Sequence, residues 1–313
     1  MRTAFIQALN EMADEDERVC LIVGDLGYSV IEDFANKHPK QFVNAGVSEQ
    51  NMIGLAVGMS MTGKVVFTYS IGNFGTLRCL EQIRNDVCYH RANVKVVAVG
   101  GGLAYGNLGV THHASEDVAI MRSLPNMTVV APGDPVEARL ATRAVVALDG
   151  PAYLRLGKAG EPVVHETEPA FALGRAITVR DGSDVTLIAS GGMLATADKV
   201  SRSLAGQGLG VRLLSMHTVK PLDRDAVARA AAETRYVFTL EEHSVEGGLG
   251  GAVAEVMAEL EPGDAPLKRI GLRPEFNKTV GDQNYLKAMH GLDEESVQKT
   301  IQQIITRSFG RVG

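Results

Sequence analysis

The chain has no tryptophan, and aromatic residues make up only 5% of its 313 positions, so aliphatic side chains must fill its cores. Neither sign of charge dominates. Thirty-one lysines and arginines against 37 aspartates and glutamates leave a formal charge of −6. With no basic run and no interleaving of aromatic and basic residues, this excludes nucleic acid as the main partner. No apolar stretch approaches the ~20 residues that a membrane-spanning helix needs. The opening residues Met1-Arg2-Thr3-Ala4-Phe5 lack a signal-peptide hydrophobic region. A cytoplasmic protein that engages no membrane is expected. The three cysteines, Cys20, Cys79 and Cys88, have neither metal-ligand spacing nor the even count of a disulfide framework, and they read as buried free thiols. Phosphate signatures are missing too. There is no Gly-x-x-x-x-Gly-Lys-[Ser/Thr] loop, and the Gly100-Gly101-Gly102 run does not continue as Gly-x-Gly-x-x-Gly, so a dinucleotide fold is not indicated.

What is present is an alternation of short β-rich runs with helical stretches. With 45% hydrophobic residues the chain can bury sizeable cores, and its length suits two domains. Buried-type strands are expected at Val19 to Val23, Val65 to Tyr69, Val94 to Val99, Thr128 to Ala131 and Tyr153 to Leu156, the continuous apolar runs of a parallel sheet. Helices are expected between them at Thr3 to Met12, Glu49 to Met61, Phe74 to Tyr89, Glu116 to Leu124 and Pro135 to Leu148. After Leu156 the chain becomes polar and punctuated by glycine and proline, which suits a linker. A second series follows, with strands at Val185 to Ser190, Val211 to Met216, Tyr236 to Glu241 and Lys268 to Leu272. Its helices are expected at Met193 to Ala205, Asp223 to Ala232, Gly250 to Leu260 and Val297 to Arg307. The pattern predicts two doubly wound α/β domains, 1–160 and 175–313, joined by a linker over 161–174. Gly247-Gly248-Leu249-Gly250-Gly251 precedes a helix and suits either an anion or close helix-to-sheet packing.

Within this frame one carboxylate stands out. Ser48 reads as an N-cap and Glu49 as an acid in the first turn. Met52, Ile53, Leu55, Ala56, Val57, Met59 and Met61 then cover nearly the whole circumference, so the helix should be buried. A glutamate opening such a helix should be partly desolvated, with its pKa pushed upward. His112 and His113 stand in a glycine-rich loop after a strand, where open α/β sheets bind ligands. Adjacent histidines do not easily converge on one metal ion.

Seven motifs occur in an order that resembles the C-terminal half of transketolases: Gly24-Asp25-Leu26, Gly46-Val47-Ser48-Glu49-Gln50-Asn51-Met52, Glu81-Gln82-Ile83-Arg84-Asn85, Gly109 through Asp117, Leu124-Pro125-Asn126-Met127, Met216 through Asp223, and Glu241 through Gly250. The halves of this family can be separate chains, and this one resembles the small subunit of a split transketolase. The resemblance implies a pyrimidine-binding domain, the fold that holds the pyrimidine of thiamine diphosphate, followed by a transketolase C-terminal domain. It implies transfer of a two-carbon ketol unit from a ketose to an aldose.

By motif match, Glu49 is the acid that shares a proton with N1′ of the cofactor's pyrimidine. Phe74 lies nearest in register to the family's stacking phenylalanine, and Ile71 stands where another aromatic is often found. Tyr69 is a further candidate on the same segment, although Tyr69 and Phe67 also suit the strand core. Asp25 either caps the turn after its strand or lies near the cofactor or the opposing subunit. The resemblance makes His112 a sugar contact, and His113 stands where glutamine is frequent. Arg2, Ser29 and Arg155 match positions that bind a sugar phosphate, and guanidinium groups suit bidentate phosphate contacts; a frayed terminus for Arg2 and a linker ion pair for Arg155 are the competing readings. Many transketolases carry an aspartate where this chain has Leu108, which puts substrate choice in question.

The family's diphosphate site, a Gly-Asp-Gly motif and a later asparagine around a divalent ion, is matched by neither Gly24-Asp25-Leu26 nor Gly281-Asp282-Gln283. The expected partner is therefore a large subunit that carries the diphosphate domain and its Mg2+ (or Ca2+). A homodimer of this chain within a heterotetramer would clasp thiamine diphosphate against that subunit. Two relatives compete: the β subunit of a 2-oxoacid dehydrogenase, and deoxyxylulose phosphate synthase, which normally keeps both halves in one chain. A pyrimidine-domain-like scaffold that binds no cofactor is the non-enzymatic alternative.

Overall fold

The computed structural model describes residues 1–260 and 265–309. Two sheets lie in sequence. The strands of the first half are β1 (Val19–Val23), β2 (Phe42–Asn44), β3 (Val65–Ile71), β4 (Val94–Val99), β5 (Thr128–Val130) and β6 (Ala152–Leu156). Those of the second are β7 (Ile177–Arg180), β8 (Val185–Ala189), β9 (Val211–Ser215), β10 (Thr218–Lys220), β11 (Val237–Ser244) and β12 (Leu267–Leu272). The first sheet has seven strands in the order β10-β5-β6-β4-β3-β1-β2, the second five in the order β12-β11-β8-β9-β7. Within the first, β1 to β6 are mutually parallel, and β1, β3, β4 and β6 are buried on both faces, which explains their largely apolar sequences.

Helices cover both faces of the first sheet. On one side α1 (Arg2–Glu15) and the helix Pro135–Ala147 pack Phe5, Leu9 and Val145 against Phe67, Val97 and Leu154. On the other, α3 (Glu49–Met61), the third helix after α2 (Glu32–Lys37), sets Met52 and Ile53 against Ile22, Val66 and Val96. Only half of α3 is covered. Met52, Ile53, Ala56 and Val57 are buried, whereas Gly54, Leu55, Gly58 and Met61 face outward. The all-round apolar pattern had predicted a helix buried on every side.

Three further departures from the sequence pattern bear on the site. The stretch Phe74 to Tyr89 is not one helix. It breaks into Gly72–Gly75, a 3-10 turn at Leu77–Cys79, Leu80–Gln82 and a π-helical segment at Ile83–Cys88. Thr76 Oγ1 donates back to the Gly72 carbonyl at 2.6 Å, a bond that competes with regular helix continuation. Secondly, β10 leaves the second half and joins the first sheet antiparallel to β5. Lys220 Nζ donates to the carbonyl of Arg122 at 2.9 Å, and the Ala131 amide donates to His217 O at 2.7 Å. Thirdly, β7, unmarked by any apolar run, closes the second sheet as an antiparallel edge strand on β9. The segment between the sheets is held to the first one. The Asp134 carboxylate accepts from the amides of Val164 at 2.8 Å and His165 at 3.0 Å, and His165 Nε2 bonds Glu137 at 2.8 Å.

Candidate functional site at the carboxyl edge of the first sheet

The carboxyl ends of β1, β2, β3 and β4 meet at one edge of the sheet, where ligands bind in open α/β folds. β1 runs into Asp25, whose φ of +54° turns the chain sharply. Asp25 is exposed, and its carboxylate and amide are both taken by the Asn44 side chain, at 3.0 and 3.1 Å. That pairing ties the end of β1 to the end of β2. Three residues past Gly46, α3 begins with Glu49. Ser48 precedes it without capping it: its hydroxyl donates to the Ala45 carbonyl at 2.7 Å.

Glu49 is 3% exposed, and the structure gives it a partner that the desolvation argument left out. Arg78 Nη1 donates to Glu49 Oε2 at 2.7 Å. The same guanidinium lies 4.7 Å from the centroid of the Phe74 ring, a cation–π distance. Phe74 in turn meets the His112 imidazole edge-on, with centroids 4.9 Å apart. Glu49, Arg78, Phe74 and His112 thus form one continuous row. The broken helix makes this possible, since the turn at Leu77–Cys79 reorients Arg78 toward α3. Arg78 escaped the sequence reading; its signal was its being the lone cation between β3 and Gln82, four residues after Phe74.

His112 is half-buried, accepts or donates at Nδ1 with Thr111 Oγ1 at 3.0 Å, and has the Tyr105 ring 6.3 Å away. His113 is buried, burial pushes its pKa down, and its Nε2 has no partner among the described residues. Both histidines belong to a loop whose rim carries Leu108, exposed on the 3-10 turn Gly106–Leu108. Ile71 ends β3 at the start of the Gly72–Gly75 turn, half-buried.

Four further expected contacts stand outside the row Glu49–Arg78–Phe74–His112. Tyr69 points to the α1 face of the sheet, opposite α3, where it is fully buried and stacks on Phe5 with centroids 5.9 Å apart. The period-two alternation of β3 decides this, and burial pushes its phenol well above the ordinary value. Arg155 is buried and committed: Nε donates to Asp117 Oδ2 at 2.7 Å, Nη2 to the carbonyls of Ala114 at 2.8 Å and Glu242 at 3.0 Å. Burial pulls against its charge, but Asp117 outweighs it and raises the pKa. Its place is an ion-pair network between the two halves. Ser29, at φ +64°, donates its amide to Glu32 at 2.7 Å in the turn leading to α2. Arg2 donates to the Lys158 carbonyl, which ties α1 to the segment after β6. Lys158 lies over the other aromatic neighbour of His112, its Nζ 4.9 Å from the Tyr105 centroid.

The glycine-rich helix start at Gly247–Gly251 is already filled from within. Glu241 Oε2 and Oε1 accept the amides of Leu249 and Gly250, each at 2.7 Å. Asp282 caps the helix Gln283–Met289 through the Tyr285 amide at 2.9 Å. All three cysteines are free and buried, and burial pushes the thiols of Cys79 and Cys88 up to about 12 and about 11.

The site thus presents a carboxyl group held out of water and, joined to it through Arg78, the face of a half-buried aromatic ring. Residues 1–160 match the transketolase pyrimidine-binding domain and residues 174–297 the transketolase C-terminal domain. The chain is 37% identical to an apulose-4-phosphate transketolase subunit of Phocaeicola vulgatus, over 98% of its own length and 97% of that protein. It is 39% identical to the 6-deoxy-6-sulfo-D-fructose transketolase subunit SqwH of a Clostridium species, over 98% and 95%. A solved structure described as a split gene transketolase, inactive beta4 tetramer, superposes with a TM-score of 0.88 at 37% identity, covering 97% of each chain. A 1-deoxy-D-xylulose-5-phosphate synthase of Pelotomaculum thermopropionicum is 32% identical over 91% of this chain but only 45% of that protein.

Proposed function

The chain belongs to the transketolase family, and on that premise we propose that it is the small subunit of a split, thiamine diphosphate-dependent transketolase, active only beside a separate large subunit. The observation that carries the reading is the row Glu49–Arg78–Phe74–His112 at the carboxyl edge of the sheet. Its similarity along nearly their whole length to separate subunits of split enzymes, and to only half of a deoxyxylulose phosphate synthase, favours the split arrangement over that synthase.

Thiamine diphosphate supplies a nucleophilic carbon for two-carbon transfer. Glu49 holds a proton at the pyrimidine's N1′, and its burial keeps water from competing for that bond. Phe74 gives the pyrimidine a face to stack on, and Arg78 keeps that ring and the Glu49 carboxylate in register. Ile71 flanks the same turn, and Asp25 stands at the carboxyl end of β1, tied to β2 by Asn44. His112 contacts the ketose, with His113 behind it. Mg2+ (or Ca2+) and the diphosphate belong to the large subunit, because neither Gly24-Asp25-Leu26 nor Gly281-Asp282-Gln283 completes the family's motif. Two copies of this chain in a heterotetramer, in the cytoplasm, complete the proposal. The substrates are hydroxylated ketoses and aldoses, and Leu108 removes one polar contact that ordinary sugar phosphates use.

The test is reconstitution. The chain alone, given thiamine diphosphate and magnesium, should transfer no ketol group, and adding the large subunit should restore transfer. Activity of the isolated chain would sink the split arrangement, and a reconstituted complex that decarboxylates 2-oxoacids instead would favour the dehydrogenase reading.

A further inference from the structure

Two sequence features take no part in the row of cofactor residues: the Gly100-Gly101-Gly102 run and the Glu241-Glu242-His243 motif. They meet. Gly102 and Ala114 pair across the neck of the loop that carries His112, with amide-to-carbonyl bonds of 2.8 and 2.9 Å. Both ends of that neck sit on the tip of β11, in the second half of the chain. The Leu103 amide donates to Glu242 Oε1 at 2.7 Å, and the Ser244 amide donates to the Ser115 carbonyl at 2.8 Å. Arg155 bridges the two sides, binding the Ala114 carbonyl and the Glu242 carbonyl with one nitrogen.

The glycines let this seat form. A Cβ on Gly102 would lie 2.6 Å from Glu242 Cγ, and one on Gly101 would lie 2.7 Å from Arg155 Cζ. The Glu242 carboxylate is itself held from behind. Gln283 Nε2 donates to both its oxygens at 2.9 Å, and Lys287 Nζ stands 3.8 Å away. A second support lies farther round the loop, where Gly106 packs under Leu286 so closely that a Cβ would come within 2.4 Å of its Cδ1. The loop is encoded by the first domain, yet it rests on the second.

We propose that Glu242 is a positioning residue for substrate: through the Leu103 amide, and with Arg155, it fixes the neck of the 103–113 loop and so the place of His112 against the sugar. The inference deepens the transketolase reading and rests on it. It gives the C-terminal domain a task in catalysis, as the seat of the substrate loop, and it reassigns Arg155 from phosphate binding to that seat. Small displacements of such groups are costly, since a misplacement of about 1 Å can lower a rate roughly 100-fold.

The experiment compares wild type, Glu242→Gln, Glu242→Ala and Gly102→Ala, each in complex with the large subunit. Amide hydrogen exchange at Leu103 and across 103–113 should quicken about tenfold or more in Glu242→Ala and Gly102→Ala. In Glu242→Gln it should stay near wild type, because the amide oxygen still accepts from Leu103. Catalytic efficiency toward the ketose should fall about 10- to 100-fold in the first two and recover in Glu242→Gln, with thiamine diphosphate affinity within about twofold throughout. Unchanged exchange in both disruptive variants would overturn the proposal. So would faster exchange with undiminished ketose efficiency, or a loss of cofactor affinity matching the loss of activity, which would mark Glu242 as a general structural support. Should the wild-type complex transfer no ketol group, the transketolase reading fails, while the exchange measurement still decides whether Glu242 seats the loop.

Discussion

Arg78 and Glu49 form an ion pair of 2.7 Å between a broken helical turn and the start of α3, with the guanidinium lying over Phe74. The pair is asymmetric, Arg78 being half in solvent and Glu49 almost wholly out of it. One arginine therefore tethers both the acid and the ring that the proposed cofactor needs. Glu49→Gln should leave fold and assembly intact and lower turnover roughly 100-fold or more, because an amide cannot share the pyrimidine proton. Arg78→Ala should weaken thiamine diphosphate binding by freeing Phe74 and Glu49 together. Steady-state kinetics and a cofactor titration of the reconstituted complex check both; near-normal turnover of Glu49→Gln would return Glu49 to the role of a helix-terminal acid.

His112 stands at the far end of the row, separated from Glu49 by Arg78 and Phe74. His112→Ala should therefore bind cofactor almost normally while losing about 2–4 kcal/mol of transition-state stabilisation toward the ketose. Leu108→Asp, on the exposed rim of the same loop, should shift preference toward ordinary hydroxylated sugar phosphates. An unchanged substrate ranking in Leu108→Asp would place that rim outside the sugar's reach.

Thiol chemistry should be silent. Burial pushes Cys20 up as well as Cys79 and Cys88, and the thiolate is the reactive form. In the native chain none of the three should react with a disulfide reagent on the timescale of minutes. All should react in denaturant, and a fast native phase would show that the core around one of them opens.

The segment between the sheets should hold less firmly as pH rises. Desolvation acts to lower the His165 pKa, but the hydrogen bond and charge of Glu137 prevail and raise it; desolvation likewise opposes the ionised Glu137, which is nevertheless held below its usual value by His165. A histidine with a raised folded pKa contributes stability that is fully present below the unfolded value, about 6.5, and is lost as pH climbs through the folded one. The difference in unfolding free energy between wild type and His165→Gln should thus be largest near pH 6 and shrink toward pH 9. Parallel denaturant titrations measure it, and a constant difference would show that the pair contributes only through packing.

Local pattern and topology divided the information unequally. Each expected parallel strand formed, because unbroken apolar runs have no stable place except inside a covered sheet. Short strands escaped. Thr218–Lys220 pairs with Val129 and Val130, residues nearly ninety positions earlier in the chain, and nothing in three residues encodes such a partner. The acid at position 49 was legible because the helix it opens is long and apolar. Arg78 was not, because its direction depends on a break in the helix that Thr76 helps to make.

The sequence by itself determined the order of the longer strands, the family motifs and the acid at the head of α3, all of which are written in neighbouring residues. Only the tertiary structure decided which charged groups are spent. Arg155 and Asp117, 38 positions apart, neutralise each other between the two halves, Glu241 fills the glycine-rich helix start with its own carboxylate, and Tyr69 turns to the opposite face of its strand. A charged or polar side chain is free to bind a ligand only if no closer partner satisfies it, and those partners are set by chain crossings that local pattern does not encode.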